Sequence, residues 1–260
     1  MKPPSGKPLG NNLGYRIGSS VLIPIMNLIT KRRWLDVEKI PQSGPVVFYS
    51  NHVSYLDALV LAHLMFKNGR AVRFIGKEAV FKIPVVGWVL HKAEQIPVKR
   101  QSDSAAIALS EAIAALKMGH AIAIYPEGTL TRDPELWPMT GKTGAVRLAL
   151  SANVPLIPIA QWGDQLIWPP YSKILKPFPR KLVTMKVGDP VDISKWQGRV
   201  DDPAAMEEAT TYIMRVLAEM VGQLREIKAP AELFDIRKTD LPRTGNFRKR
   251  SNKVPKKDSK

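Results

Sequence analysis

Short apolar runs alternate with longer segments of helical pattern along most of this chain. Strands that alternate with helices in this way are typical of α/β domains, in which most strands run parallel. The sequence therefore predicts a mixed, largely parallel sheet flanked by helices. The predicted strands span residues 44–50, 71–77, 121–128, 156–163 and 181–189, and the predicted helices span residues 57–66, 102–120, 141–155 and 202–227.

The composition excludes several kinds of chemistry. With no cysteine among its 260 residues, the chain has no disulfide, no thiolate nucleophile and no Cys-ligated metal site. It has no Gly-x-Ser-x-Gly nucleophile elbow, and Leu136 stands where a P-loop built on Gly141 and Lys142 would need its first glycine. The histidines lack the spacing of metal ligands. We expect no metal and no bound cofactor.

The net charge of +16 predicts an anionic partner: nucleic acid, anionic lipid or a phosphorylated substrate. Half of this charge lies in residues 237–260, which have no apolar periodicity. We expect residues 231–260 to form a basic, disordered tail, which either keeps the chain soluble or attracts a membrane or a nucleic acid. A basic nucleic-acid-binding protein is the non-enzymatic alternative, although the sequence has no RNP-like motif or zinc finger.

Residues 1–34 contain the most apolar segment, Leu13–Ile29. It holds no uninterrupted run of 18 apolar residues, which argues against a conventional transmembrane span. A basic cluster and Trp34 follow it, and such flanks are typical of a helix that lies in a membrane interface. We expect residues 1–34 to form an interfacial helical segment and residues 35–230 to form the main domain. The alternative is a helix packed on the protein's own core.

A histidine and an aspartate stand five positions apart in residues 50–57, between a predicted strand and a predicted helix. One continuous helix would hold His52 and Asp57 on different sides. Ser54 and Asp57 fit a capping box, however, which places His52 in the turn before the helix, where it can fold back onto Asp57. The pair would then act as a general base and its orienting carboxylate. The alternative is that Asp57 only caps the helix.

The predicted strand 121–128 ends in Tyr-Pro-Glu-Gly, and Thr129 follows. Gly128 permits a tight turn with exposed backbone N–H groups, and Arg132, Lys142 and Arg147 lie close by in the sequence. Backbone amides, a hydroxyl and cations at one turn suit a phosphate group. The alternative is an ordinary turn with surface cations.

These stretches resemble the motifs of the glycerolipid acyltransferases, the lysophosphatidic acid acyltransferase family. Residues 51–57 resemble its Asn-His-x-x-x-x-Asp motif, and residues 125–129 resemble its Phe-Pro-Glu-Gly-Thr-Arg motif. Residues 75–100 resemble its middle block, and residues 154–160 resemble its last block. The four blocks occur in the family's order, and the resemblance covers residues 35–190.

The resemblance implies a glycerol-3-phosphate acyltransferase-like fold and an enzyme at an anionic membrane surface, on the cytoplasmic face of the cell membrane. Such an enzyme transfers a fatty acyl group from acyl-CoA or acyl carrier protein to lysophosphatidic acid, giving phosphatidic acid. His52 would remove the proton of the acceptor hydroxyl, and Asp57 would orient His52. The residues that match its substrate-binding positions are Lys77, Arg100, Glu127, Gly128 and Thr129. Glycerol-3-phosphate or another membrane lysolipid or glycolipid is the alternative acceptor.

The chain departs from the family at one position. Leu130 stands where the family usually has an arginine, and Arg132 follows two positions later. Either Arg132 replaces that arginine as the partner of the phosphate, or the acceptor is held differently. Residues 129–139 resemble an actinobacterial variant of this block. We expect the nearly uncharged residues 79–90 to line an acyl channel, to insert into lipid or to pack in the core.

Overall fold

A sheet of seven strands, counted over the residues that the computed structural model describes (10–98 and 102–242), forms the centre of the fold. The strands are β1 (Thr30–Leu35), β2 (Val46–Ser50), β3 (Val72–Lys77), β4 (Ile96–Val98), β5 (Ala121–Ile124), β6 (Leu156–Trp162) and β7 (Lys181–Val187). Their order is β1-β7-β6-β2-β5-β3-β4. The strands from β6 to β4 run parallel, whereas β7 is antiparallel to β6 and pairs in parallel with β1. The predicted mixed, largely parallel sheet is confirmed.

Helices cover both faces of this sheet. They are α1 (Leu13–Ile29), α2 (Asp57–Lys67), α3 (Glu78–Phe81), α4 (Val86–Lys92), α5 (Ser102–Lys117), α6 (Gly144–Ala152) and α7 (Pro203–Arg225). In the central strand β2, Val47 and Tyr49 pack with α5, α6 and α7, whereas Val46 and Phe48 pack with α1 and α2. A strand buried on both faces is a continuous apolar run in the sequence, which is the signal that predicts β2.

Strand β1 has no counterpart among the predicted strands. Its side chains at Lys31, Arg32 and Arg33 are exposed, so this stretch lacks the apolar pattern of a strand. It nevertheless pairs with β7, from Thr30 opposite Lys181 onward. The boundary predicted between residues 34 and 35 therefore falls within a strand of the main sheet.

Helix α1 packs on the domain with one face. Gly14 lies so close to the end of α4 that a Cβ there would be 2.2 Å from the backbone carbonyl carbon of Lys92. Met26 and Ile29 are buried in the core on the α2 side of the sheet. The opposite face exposes large apolar side chains, namely Leu13, Val21, Ile25 and Leu28. One face of this segment therefore packs on the core, as the alternative expects, and the opposite face is exposed.

The described helices include none that is both long enough and apolar enough to cross a membrane.

The residues after α7 return to the domain. Phe234 forms a β-bridge with Met139, and its carbonyl accepts a 2.9 Å hydrogen bond from the N–H of Thr140. A 3-10 turn at Ile236–Lys238 follows, capped by the side chain of Asp235. The first part of the predicted tail is therefore packed against the domain, and residues 243–260 lie outside the described residues.

Candidate active site

Three loops meet at the carboxyl edge of the central strands. Because β2 lies between β5 and β6, the segments that follow these strands are brought side by side. Ligand sites in α/β sheets usually lie at this edge. The segment after β2 carries His52, the segment after β5 carries Gly128, and the segment after β6 carries Asp164.

The structure brings His52 and Asp57 together. Nδ1 of His52 lies 2.5 Å from Oδ2 of Asp57. The same oxygen accepts hydrogen bonds from the backbone N–H groups of Val53 at 2.7 Å and Ser54 at 3.0 Å. Helix α2 begins at Asp57, later than a cap at Ser54 predicts, but the bond from Ser54 to Asp57 is half of the predicted capping box. One oxygen both closes the turn and contacts the imidazole, so the two alternative roles of Asp57 are compatible.

The loop after β5 holds the backbone and the ring of His52. The N–H of His52 donates to Oε1 of Glu127 at 2.8 Å, and its carbonyl accepts from the N–H of Thr131 at 2.7 Å. The imidazole stacks on Tyr125 with 4.5 Å between ring centroids. The side chain of His52 is still 23% exposed. The ring is therefore fixed in orientation while one side stays open to a substrate.

Burial sets the charge of this pair. Desolvation lowers the pKa of His52 below its usual range, and the positive charge of Lys77 lowers it further. Desolvation raises the pKa of Asp57, while hydrogen bonds from the side chain of Asp164 and from the turn act in the opposite direction. The imidazole is therefore neutral at neutral pH. With its proton on Nδ1, facing Asp57, its Nε2 is the atom that can accept another proton.

The structure has a tight turn at Gly128, as the sequence predicts, although the N–H of Gly128 donates to the carbonyl of Tyr125 at 3.0 Å. Gly128 is exposed and has a φ of 68°, in the left-handed region that favours glycine. A Cβ at this position would lie 3.0 Å from Nζ of Lys142, so the ammonium group sits directly against the turn. The neighbouring Thr129 is half-buried, and its side chain is hydrogen-bonded to that of Tyr171. A backbone turn, a hydroxyl and a cation thus meet at one place.

Arg132 is not a solvated surface cation. It is 2% exposed, and its guanidinium carbon lies 4.6 Å from the ring centroid of Tyr171. The hydroxyl of Tyr171 donates to the carbonyl of Leu130 at 2.6 Å, which ties this ring to the turn. The side chain of Leu130 is itself buried. The position at which the family usually has an arginine therefore points into the protein.

The other predicted substrate-binding residues have different surroundings. Glu127 is 4% exposed, and its two carboxyl oxygens accept from the backbone N–H groups of His52 and, at 3.4 Å, Met139. It therefore holds the turn of His52 rather than facing solvent. Lys77 is exposed at the end of β3, near enough to affect the pKa of His52. Arg100 lies outside the described residues.

Asp164 has no predicted role, yet it lies within this site. It is completely buried after β6, and its side chain is hydrogen-bonded to that of Asp57. The only signal in the sequence is an aspartate directly after a predicted buried strand. Over the described part of the chain, no group of three or more His, Asp or Glu side chains is arranged to hold a metal ion.

Several known proteins are similar to this chain. Residues 32–162 match the model of the family described as Acyltransferase. A chloroplastic 1-acyl-sn-glycerol-3-phosphate acyltransferase of Brassica napus is 34% identical over 139 residues, which is 53% of this chain but only 39% of that protein. The 1-acyl-sn-glycerol-3-phosphate acyltransferase of Limnanthes douglasii is 29% identical over 208 residues, 76% of this chain and 67% of that protein.

A solved structure shares the fold. The crystal structure of the 1-acyl-sn-glycerophosphate (LPA) acyltransferase PlsC from Thermotoga maritima superimposes with a TM-score of 0.60 and 23% sequence identity. The match covers 84% of this chain and 80% of that one.

Proposed function

Since this chain belongs to the acyltransferase family, we propose that it transfers a fatty acyl group from a thioester, acyl-CoA or acyl carrier protein, to the hydroxyl of lysophosphatidic acid, giving phosphatidic acid. The observation that carries this proposal is the 2.5 Å contact between His52 and Asp57, with a neutral, partly open imidazole beside a basic turn. The names of the relatives supply the acceptor.

The catalytic step follows from the orientation of the imidazole. Nε2 of His52 accepts the proton of the acceptor hydroxyl as its oxygen attacks the carbonyl carbon of the thioester. The carbon–sulfur bond breaks, and the thiolate leaves and takes the proton from the imidazolium. Asp57 stabilises the imidazolium through Nδ1. No covalent acyl-enzyme is required, in agreement with the absence of cysteine.

The acceptor phosphate is proposed to bind at the turn after β5. Gly128 exposes backbone there, Lys142 supplies an ammonium group against the turn, and Thr129 supplies a hydroxyl. Arg132 adds a buried positive charge behind Tyr171. Lys77 and Arg100 are still proposed to contact the substrates. Glu127 is proposed to act indirectly, by holding in place the turn that carries His52.

An anionic membrane surface on the cytoplasmic face is the proposed location. The open face of α1 carries Val21, Ile25 and Leu28, and the exposed cations of β1 follow it directly. The segment 79–90 does not simply pack in the core, since several of its large apolar side chains are exposed: Val80, Ile83, Val85, Val86 and Trp88. Helices α1 and α4 pack on each other, so the two apolar surfaces are neighbours. An apolar surface with adjacent cations suits a peripheral protein at anionic lipid.

A second acceptor is favoured by one observation. The buried Leu130 leaves the turn without the arginine that the family usually presents there, so glycerol-3-phosphate or another lysolipid or glycolipid is the alternative.

A matrix of acyl-CoA and acyl carrier protein donors against lysophosphatidic acid, glycerol-3-phosphate and lysophospholipids tests both acceptors. Phosphatidic acid should form fastest from lysophosphatidic acid and should not form with His52→Ala. Acyl transfer to none of these acceptors would contradict the proposal, and a shift with DNA or RNA would then favour the nucleic-acid alternative.

A further inference from the structure

Two buried carboxyl groups meet behind the imidazole of His52. Asp57 and Asp164 are both 0% exposed, and their side chains are hydrogen-bonded to each other. They lie 107 positions apart in the sequence and come together because β2 and β6 are neighbours in the sheet. The turn before α2 and the loop after β6 are also joined directly, since Oγ of Ser54 donates to the carbonyl of Trp168 at 2.9 Å.

The hydrogen bonds of the four carboxyl oxygens show how this contact is made. Oδ2 of Asp57 already accepts from His52, Val53 and Ser54. Oδ1 of Asp164 accepts from the N–H of Gln165 at 3.2 Å. The remaining two oxygens, Oδ1 of Asp57 and Oδ2 of Asp164, have no other donor within the described residues. These two oxygens are therefore the atoms through which the two side chains contact each other.

Two carboxylate oxygens cannot form a hydrogen bond unless one carries a proton, and two buried carboxylates in contact do not both ionise. The hydrogen bonds decide which one is protonated. Asp57 receives two backbone N–H groups and the imidazole at short distances, all of which stabilise its anion. Asp164 receives only its own backbone N–H and, at the longer distance of 3.2 Å, that of Gln165. The proton therefore belongs to Asp164. Burial and the charge of Asp57 raise the pKa of Asp164 well above its usual range, in agreement with this assignment.

We propose that Asp164 is a positioning residue of the catalytic pair, whose protonated carboxyl donates from Oδ2 to Oδ1 of Asp57. This rests on the proposed function of His52 and Asp57. With one oxygen of Asp57 held by Asp164 and the other by His52, the carboxylate keeps one orientation and one negative charge. The donated bond also makes Asp57 a poorer proton acceptor, so the proton that His52 removes from the acceptor stays on the imidazole until the thiolate leaves.

Other charged and titratable groups face this carboxyl pair. The loop after β5 supplies the phenol of Tyr125 and the carboxyl of Glu127. Lys77, at the end of β3, acts on the neighbouring imidazole of His52. The proposal therefore needs a substitution that changes the hydrogen bond and the charge separately. Asp164→Asn does this, because its amide NH₂ can donate to Asp57 as the protonated acid does and its amide oxygen can still accept from Gln165. Asp164→Ala removes the donor.

The test compares these two variants with the parent in acyl transfer and in ¹⁵N-histidine NMR, with His52→Ala used to assign the His52 signals. We expect Asp164→Asn to keep kcat within about threefold of the parent. We expect Asp164→Ala to lower kcat about 10- to 100-fold with little change in the acceptor KM, since a buried charged acceptor loses its donor. The acid limb of the Asp164→Ala pH profile should move to higher pH, because Asp57 is then more easily protonated.

The NMR measurement needs no substrate, so it decides the protonation of Asp164 even if the proposed acyl transfer fails. In Asp164→Asn the His52 titration should stay within about 0.5 pH unit of the parent, because no charge is removed. A fall of more than about one unit would mean that Asp164 is ionised in the parent, which overturns the proposal. Equal kcat losses in both variants, or normal kcat in Asp164→Ala, would overturn it as well. If Asp164→Ala does not fold, the titration and kcat of Asp164→Asn alone decide.

Discussion

The backbone N–H of His52 donates a 2.8 Å hydrogen bond to the buried carboxyl of Glu127. This bond joins two motifs that lie 75 positions apart in the sequence. The carbonyl of His52 accepts from Thr131 in the same loop, so the turn that carries the histidine is held on both sides. The loop that we propose to bind the acceptor phosphate is therefore also the loop that positions the proposed general base.

Replacement of His52 by alanine should abolish most of the activity. Without Nε2 the acceptor hydroxyl loses its proposed proton acceptor, so acyl transfer should fall about 10²- to 10⁴-fold. His91→Ala, which removes an exposed histidine on α4, is the matched control and should stay near the parent rate. Activity of His52→Ala close to that of the control would rule out His52 as the general base.

Asp57→Asn should impair catalysis more than it impairs folding. A neutral amide cannot stabilise the imidazolium, so kcat should fall by a factor of at least about 10². The amide oxygen can still accept from Val53 and Ser54, so the free energy of unfolding should fall by only about 1 kcal/mol. Urea unfolding measured beside kcat separates the two effects. Loss of the fold, or unchanged kcat, would contradict this account.

Glu127 should make the stability of the protein fall as the pH rises. Burial raises the pKa of Glu127 to about 8. In the folded state the carboxyl then keeps its proton at pH values where the unfolded chain has lost it, so unfolding releases a proton. The free energy of unfolding therefore decreases from about pH 4.5 to pH 8, by up to about 1.4 kcal/mol per pH unit from this group. Urea unfolding of the parent at several pH values in this window measures the slope.

Glu127→Gln should flatten that slope, because the amide can accept from His52 but does not titrate in this range. Glu219→Gln, at an exposed position on α7, is the control and should keep the slope of the parent. A Glu127→Gln variant with the parental slope would show that Glu127 is ionised in the folded protein.

Lys142→Gln should weaken the binding of the acceptor and leave the binding of the acyl donor unchanged. A charge-assisted contact with a phosphate is worth about 1.5–3 kcal/mol, so kcat/KM for lysophosphatidic acid should fall roughly 10- to 100-fold. The KM of the acyl donor should stay unchanged. Lys228→Gln removes an exposed lysine beyond α7 and serves as the control. Equal effects on donor and acceptor would remove Lys142 from the proposed phosphate site.

The open face of α1 should bind membranes through its apolar side chains. Val21, Ile25 and Leu28 are 59%, 46% and 60% exposed, so serine substitutions there leave the core intact. Full burial of an apolar side chain of this size is favourable by about 1.5–3 kcal/mol. The triple variant should therefore bind anionic liposomes at least about tenfold more weakly. Sedimentation with liposomes measures this. Ile107→Ser with Ile227→Ser, exposed apolar positions elsewhere, is the control, and equal losses in both variants would reject α1 as the contact.

The sequence alone predicts the features that depend on residues close together in the chain. The buried strand β2 is an apolar run, and the turn that returns His52 to Asp57 needs only the five residues after His52. Strand β1 could not be found in this way, because it is an edge strand whose exposed side chains are cations. Its place in the sheet depends on pairing with β7, which lies about 150 positions later.

The surroundings of the site were not predictable for the same reason. Asp164 meets Asp57 only because β6 lies beside β2. The resemblance places Glu127 at the acceptor, but its oxygens accept from the backbone of His52 and Met139, which only the fold brings together. Arg132 stands among charged and polar residues in the sequence, yet it is buried against Tyr171.

The position of β2 between β5 and β6 also determines when this site can exist during synthesis. His52 leaves the ribosome well before both loops that orient it, and Asp164 follows it by 112 residues. At about 5–20 residues per second, that interval lasts roughly 5–20 s. A nascent chain in this interval has the histidine but not the contacts from Glu127, Thr131 and Asp164. The proposed catalytic site is therefore complete only after β6 and Asp164 have been made.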